Sequence, residues 1–447
     1  FPIVWWAKVS VSVGADANFS MSASNIQLMD MDGDGITDIV FAPDENTLAV
    51  CYSNLGRTNL LKRIINPMGG RIDLAYSKTE ANVFHSRRWV MDTVIIKDNL
   101  AGDGADYMMT TYVYENGYYD RKERAFYGFA KVTENQHNTM SYANPVYRKI
   151  VRYYYNDNYY RKGLLAIESI LDGNESKYTV TMNTYKLKNP IDCQTDITPV
   201  TERAFPALTH TKNCYYEGLA QPQIEQNKTF TYGAYGNLIH QSLTSTSMDT
   251  VNVNISYHPQ QNGNYCVGIP ESVEVPAYRK RTTQIDNKGR FTDINDYYTM
   301  NNFLNTHMEY DYYGNCIQIV YPNHSYSYVY DSEVYTYPIS VTDIFGHASY
   351  AQDYDFRFGV PRTLIDKYGS RMEYTLDAWG RILTILGPKE IDASQPYTIR
   401  YQYNNDVYDT TTKSIIEPAS AFTFNYDPAH PGNDIEIYTY SDGLGRI

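Results

Sequence analysis

The sequence predicts an all-β fold built from antiparallel hairpins, and three observations carry that expectation. Aromatic and apolar residues alternate with polar ones at period two, as at Tyr326, Tyr328 and Tyr330, at Tyr397, Ile399, Tyr401 and Tyr403, and at Phe422, Phe424 and Tyr426. Alternation of this kind sets one face of a strand on a core and the other in water. Helical periodicity is almost absent. A degenerate Asp-x-x-Gly repeat recurs at 286–289, 311–314, 343–346, 366–369, 377–380 and 442–445. An Asp at the first position of a type I turn accepts a backbone N–H two residues on, and a Gly at the fourth takes the left-handed conformation that closes the hairpin. One copy would say little, but six between β-patterned runs are an architectural signal. Gly314, Gly346, Gly369 and Gly380 are therefore expected at positive φ.

Composition narrows the function. The chain has 447 residues and a formal charge of −13, which argues against a basic nucleic-acid-binding protein, and none of its Lys/Arg stretches suggests an anionic membrane surface as partner. No run of 18 or more apolar residues is present, so no transmembrane helix is expected. Residue 1 is Phe, which suggests a fragment or a processed product. The 46 Tyr, about one residue in ten, must supply much of the buried surface with their hydroxyls hydrogen-bonded or wet. The five Cys, at 51, 193, 214, 266 and 316, include no CxxC pair and support neither a zinc ribbon nor a dense disulfide framework.

Texture divides the chain into three zones: 1–57 with an Asp/Gly-rich loop between short apolar strands, 58–135 of mixed character, and 136–447, Tyr-rich and repetitive. The sharpest site lies in the first, Asp30-Met31-Asp32-Gly33-Asp34-Gly35-Ile36-Thr37-Asp38. Carboxylates at loop positions 1, 3, 5 and 9, a Gly at 6 and the backbone carbonyl of Ile36 at 7 form a set of hard oxygen donors suited to one Ca²⁺. Position 12 is Phe41 rather than Glu, which disfavours a helix-flanked EF-hand and suits a short calcium loop between strands. A solvated acidic turn is the competing reading, but carboxylates this close repel one another without a cation. The metal's role is structural, since no ligand is left for acid–base work.

Other constellations are weaker. His307 and Glu309 share a strand face without a third partner and read as a hydrogen-bonded or solvated pair. Asp353 and Asp355 mimic a glycosidase couple, but alternate positions on a strand favour an exposed face. Arg87 and Arg88 beside Trp89 read as a solvated turn. Cys51 and Cys316, in strand-like runs, read as buried apolar residues. No nucleophile elbow, P-loop or HExxH is present, and the protein is expected to be no enzyme.

The fuller turn copies, Tyr310-Asp311-Tyr312-Tyr313-Gly314-Asn315 and Tyr440-Ser441-Asp442-Gly443-Leu444-Gly445-Arg446, resemble the YD repeats of Rhs proteins. Asn59-Leu60-Leu61-Lys62-Arg63-Ile64-Ile65-Asn66-Pro67-Met68-Gly69-Gly70 and Tyr119-Asp120-Arg121-Lys122-Glu123-Arg124-Ala125-Phe126-Tyr127-Gly128-Phe129 resemble the middle region of the B component of bacterial insecticidal toxin complexes. The order of segments is similar too: an FG-GAP/VCBS calcium-loop segment over 1–57, resembling a β-propeller blade, a toxin middle region over 58–135, and YD repeats over 136–447. The resemblance implies a curved antiparallel hairpin spiral forming part of a hollow shell in a secreted bacterial toxin complex. Its implied partners are the remaining shell and propeller segments and an enclosed toxic polypeptide. The family's C-terminal autoprotease motif has no counterpart here, and no protease residue is carried over. A different class, a calcium-dependent cell-surface adhesin or glycan-binding protein, would instead need an exposed aromatic cluster.

Overall fold

A computed structural model of the chain describes residues 26–32, 36–44, 46–55, 59–79, 88–100, 105, 107–197, 203–259, 266–299, 301–405, 407–409 and 414–446. The described residues are almost entirely strand and turn; Pro388–Asp392 is a single helical turn and Ala234–Gly236 a short 3₁₀ segment. Among them no helix is long and apolar enough to cross a membrane. The expected all-β antiparallel fold is what the chain adopts.

β1 (Ile26–Met29), β2 (Asp38–Asp44) and β3 (Thr47–Cys51) make a small antiparallel sheet of their own. The large antiparallel sheet begins with β4 (Arg63–Ile65), β5 (Arg71–Lys78) and β6 (Trp89–Lys97) and ends with Ile435–Ser441. Among the described ladders, β4 bonds to β5 at one end of the strand series and Ile435–Ser441 bonds to Ala419–Asn425 at the other. A separate hairpin, Val407–Asp409 with Ser414–Glu417, stands apart from it.

The chain divides into two compact units, Phe1–Met182 with Tyr215–Pro222, and Asn183–Cys214 with Gln223–Ile447. Within each, most strands pair with their sequence neighbours, and Ile399–Asn404 pairs with Ala419–Asn425 past the separate hairpin. This is a meander, in which antiparallel neighbours follow one another along the chain. The core is thin. Among the described residues the buried apolar side chains are Val40, Tyr127, Ile150, Val180, Cys193, Ala207 and Cys214, and most strand positions are half-buried.

Tyrosine fills much of the gap, as its abundance predicts, and the hydroxyls find partners. Tyr310 donates to the carbonyl of Phe291 (2.9 Å), Tyr330 to Cys316 (3.0 Å), Tyr354 to Pro338 (2.8 Å) and Tyr403 to Ile382 (2.9 Å). Each acceptor is the first residue of the strand leaving the previous turn on the same side. A Tyr placed just before a turn therefore ties that turn to its lateral neighbour, which gives the Tyr-Asp pairing at 310–311 and 330–331 a physical reason.

The Asp-x-x-Gly turns form as expected, with Gly314 at φ 100°, Gly346 at 82°, Gly369 at 84° and Gly380 at 83°. In Asp377, Oδ1 accepts the N–H groups of Trp379 and Arg381, both at 2.9 Å, and Oδ2 accepts Nε of Arg381 at 2.6 Å. Asp286 does the same with Lys288 and Arg290, and Asp442 with Leu444 and Arg446. Where the residue after the Gly is Arg, it is thus part of the motif: its side chain reaches back to the Asp that opened the turn.

Three further turns use the same device in forms that the Asp-x-x-Gly pattern overlooks. Asn66 accepts from Met68 and Gly70 ahead of Gly69 at φ 82°. Asp172 accepts from Asn174 and Ser176, with Glu175 in the left-handed position at φ 68°. Asp331, 5% exposed, gathers the N–H groups of Glu333, Val334 and Tyr335 on one oxygen and those of Thr336 and Tyr337 on the other. Burial disfavours its charge, yet these donors outweigh that and hold the carboxyl far below the usual range.

Candidate metal centre

The loop between β1 and β2 carries the acidic cluster. Asp30 and Asp32 follow the exposed β1, and Asp38 is the first residue of β2. Asp34, with Gly33 and Gly35, lies outside the described residues. Asp38 is 2% exposed and organises the loop's base: one carboxylate oxygen accepts the N–H of Met31 and the other that of Ser53, each at 2.8 Å. Ser53 follows β3, so Asp38 fastens both flanks of the small sheet. Val40, two residues on and on the same face, is also buried and anchors the strand.

Each of Asp30, Asp32 and Asp38 offers a carboxylate oxygen, and these oxygens lie within 4.8 Å of one another. Two oxygens bound to the same Ca²⁺ at about 2.3–2.6 Å can stand no more than about 5 Å apart. The cluster therefore fits within one coordination sphere, and its donors are the hard oxygens that Ca²⁺ requires. The ammonium of Lys78, at the end of β5, stands 3.7 Å from Oδ2 of Asp32, a cation at the cluster's edge. Lys78 was not legible as part of this site, because it is 40 residues downstream of Asp38 and arrives on a strand of the other sheet.

The remaining candidates resolve into structural contacts. His307 approaches Glu309 at 3.9 Å, but its closer partner is Asp293, 2.9 Å from Nδ1 on the neighbouring strand. Asp353 and Asp355 are not an exposed pair: Asp355 is buried at the start of a turn and bridges Arg357 and Arg362, while Asp353 takes φ 54° and accepts from Thr363. The irregular backbone at Asp353 breaks the alternation on which the exposed reading relied. Cys51 is exposed rather than buried, because it ends an outer strand of the small sheet, and Cys316 is half-buried. Arg88 is no idle surface charge; its guanidinium lies 4.1 Å from the centre of the Phe126 ring. Arg87 lies outside the described residues.

Residues 8–163 match the family described as the insecticide toxin TcdB middle/N-terminal region. Over that stretch the chain is similar to this region of the insecticide toxin TcdB. Solved structures of toxin complexes share its fold. A TcdB2–TccC3 crystal structure matches with a TM-score of 0.72 at 13% identity, over 94% of this chain and 30% of that one. A TcdB2–TccC3–Cdc42 crystal structure matches at 0.70 and 12%, over 98% and 33%. A Tc holotoxin pore from Photorhabdus luminescens matches at 0.72 and 13%, over 98% and 32%. This chain thus spans about a third of the length of the B-component-containing chains it resembles. No curated protein matches the sequence.

Proposed function

We propose that this chain is a segment of the β-sheet shell of a secreted bacterial toxin complex, and that its work is enclosure rather than catalysis. The observation that carries this reading is the long antiparallel meander whose outer strands, Arg63–Ile65 and Ile435–Ser441, each have a single described neighbour. Such edges call for further strands, and the related complexes contain chains three times as long. In this reading a curved wall, completed by the other shell and propeller segments, sequesters a toxic polypeptide until delivery. The calcium-loop segment 1–57, middle region 58–135 and YD repeats 136–447 are its successive parts.

Ca²⁺ stiffens the entry to that wall, held by Asp30, Asp32, Asp34, the Ile36 carbonyl and Asp38. The ion supplies charge neutralisation at a fixed point; the chain's own contribution is the pair of backbone hydrogen bonds that orients Asp38. Binding to the folded state alone would stabilise it by about 2.7 kcal/mol at a free concentration 100-fold over Kd. Calorimetry with Ca²⁺ and with EGTA tests this, and identical melting curves would reject the metal. Enclosure is tested by purifying the longer polypeptide with its toxin-bearing partner and exposing both to protease. The cargo should survive in the assembly and be cut when free; equal cleavage rates would reject the shell.

A second reading, a glycan-binding adhesin, draws on the turn tips of Phe345 and Tyr368, each 80% exposed. Saccharide rings stack on such side chains. Glycan-array binding that disappears in a Phe345→Ala, Tyr368→Ala variant would favour it over enclosure.

A further inference from the structure

Lys78 ends β5, and its register partner across the hairpin is Trp89, the first residue of β6. Its ammonium stands 5.3 Å from the centre of the Trp89 ring and 3.7 Å from Oδ2 of Asp32. One side chain thus touches the acidic cluster of the small sheet and the β5–β6 hairpin of the large one. Three carboxylates gathered within 4.8 Å repel one another, and a cation at their edge relieves that repulsion. A divalent ion among the same oxygens would relieve it better and would repel the ammonium. The aromatic face of Trp89 gives the displaced ammonium a favourable resting place.

We propose that Lys78 is the resident cation of the Asp30–Asp32–Asp38 cluster, neutralising it while Ca²⁺ is absent and yielding when Ca²⁺ enters, so that the state of the loop is communicated to the β5–β6 hairpin. The proposal rests on the calcium reading above and adds to it a residue that sets the affinity and couples the two sheets. It predicts an affinity deliberately weaker than the donor set alone would give. Full saturation is then confined to calcium-rich surroundings.

The test uses the full chain and CaCl₂ as the sole probe. Isothermal titration compares the wild type with Lys78→Met, which keeps the length of the side chain and removes its charge, and with Lys78→Arg, which keeps the charge. Lys78→Met is expected to bind Ca²⁺ roughly three- to thirtyfold more tightly, as removal of a like charge a few ångströms away should do, and Lys78→Arg to stay within about threefold of the wild type. Hydrogen exchange supplies a second readout. Adding Ca²⁺ should alter protection of residues 89–97 in the wild type and leave it unchanged in Lys78→Met. Equal or weaker affinity in Lys78→Met overturns the role of Lys78 while leaving calcium binding intact. Binding by Lys78→Met alone supports the proposal, because the lysine then masks the site. Absence of binding in all three overturns both readings.

Discussion

The hairpin turns of the Gln223–Ile447 region fall into two rows, one at each end of its strands, and the rows are built differently. In the row that holds the turns opened by Asp286, Asp311, Asp331, Asp355 and Asp377, neighbours clasp one another. Arg290 donates to the carbonyl of Asp311 (3.1 Å), and Asn315 donates to that of Tyr335 (2.7 Å). Tyr313 stacks on Tyr335 with ring centres 4.2 Å apart, and Gly380 lies against the ring of Phe358. In the opposite row, which holds Asp343 and Asp366, a Cβ added to Gly346 or Gly369 would meet nothing within 4 Å, and the tips Phe345 and Tyr368 project into solvent. The same four-residue motif thus serves as a lateral fastener in one row and as a bare turn in the other. The local turn chemistry is identical; the difference lies in what stands beside it.

One added methyl group in each row should separate the two most clearly. Gly380→Ala forces a Cβ to within 2.6 Å of the Phe358 ring at φ 83°, so left-handed strain and overpacking combine to about 2–4 kcal/mol. Gly346→Ala, at φ 82° with open space around it, incurs only the conformational part, about 1–2 kcal/mol. Urea denaturation of both variants should show the gap, and equal losses would mean that the rows do not differ in packing.

A smaller effect is expected from the tyrosine clasps. Tyr310→Phe removes the hydroxyl that bonds the Phe291 carbonyl, for a loss of about 1 kcal/mol read from the denaturation midpoint. Loss of hydrogen-exchange protection should be confined to the turns at 286–290 and 311–315. A loss spread over both rows would show that the clasp is not local.

Acid should weaken the turns generally. Burial works against the charge of Asp311, but the amide of Asn315 and the N–H groups of Asn315 and Gly314 outweigh it and hold its carboxyl below the usual carboxylate range. Asp286, Asp343, Asp377 and Asp442 are lowered as well. A carboxyl whose folded pKa is depressed adds stability that is whole above its unfolded value and is lost as pH falls through the folded one. The denaturation midpoint should therefore hold steady above about pH 5 and drop below pH 4. Asp311→Asn should lower it at neutral pH and flatten the acid limb, and an unchanged limb would assign the acid response to other carboxylates. Least of all should come from the open row, where Phe345→Ser is expected to shift stability by no more than about 0.5 kcal/mol. A larger loss would mean that this ring is packed against something.

Much of this was readable from the chain alone, because it depends on neighbours in sequence. Period-two alternation gave the strands, and Asp with Gly three residues on gave the turns, since both halves of each device lie within five residues. The carboxylates of the calcium-type loop were legible for the same reason. What sequence could not supply came from residues brought together across strands. The alternation of a meander sends successive turns to opposite ends, so Asp311 and Asp343 look alike in sequence and meet different neighbours. The partner of His307 is Asp293 because two strands pair in one register. Lys78 reaches Asp32 only because the small sheet and the β5–β6 hairpin lie together. Short-range hydrogen-bonding chemistry determined the elements, and the register and lateral packing of those elements decided which turns are fastened, which carboxylates are buried and which cation stands beside the acidic loop.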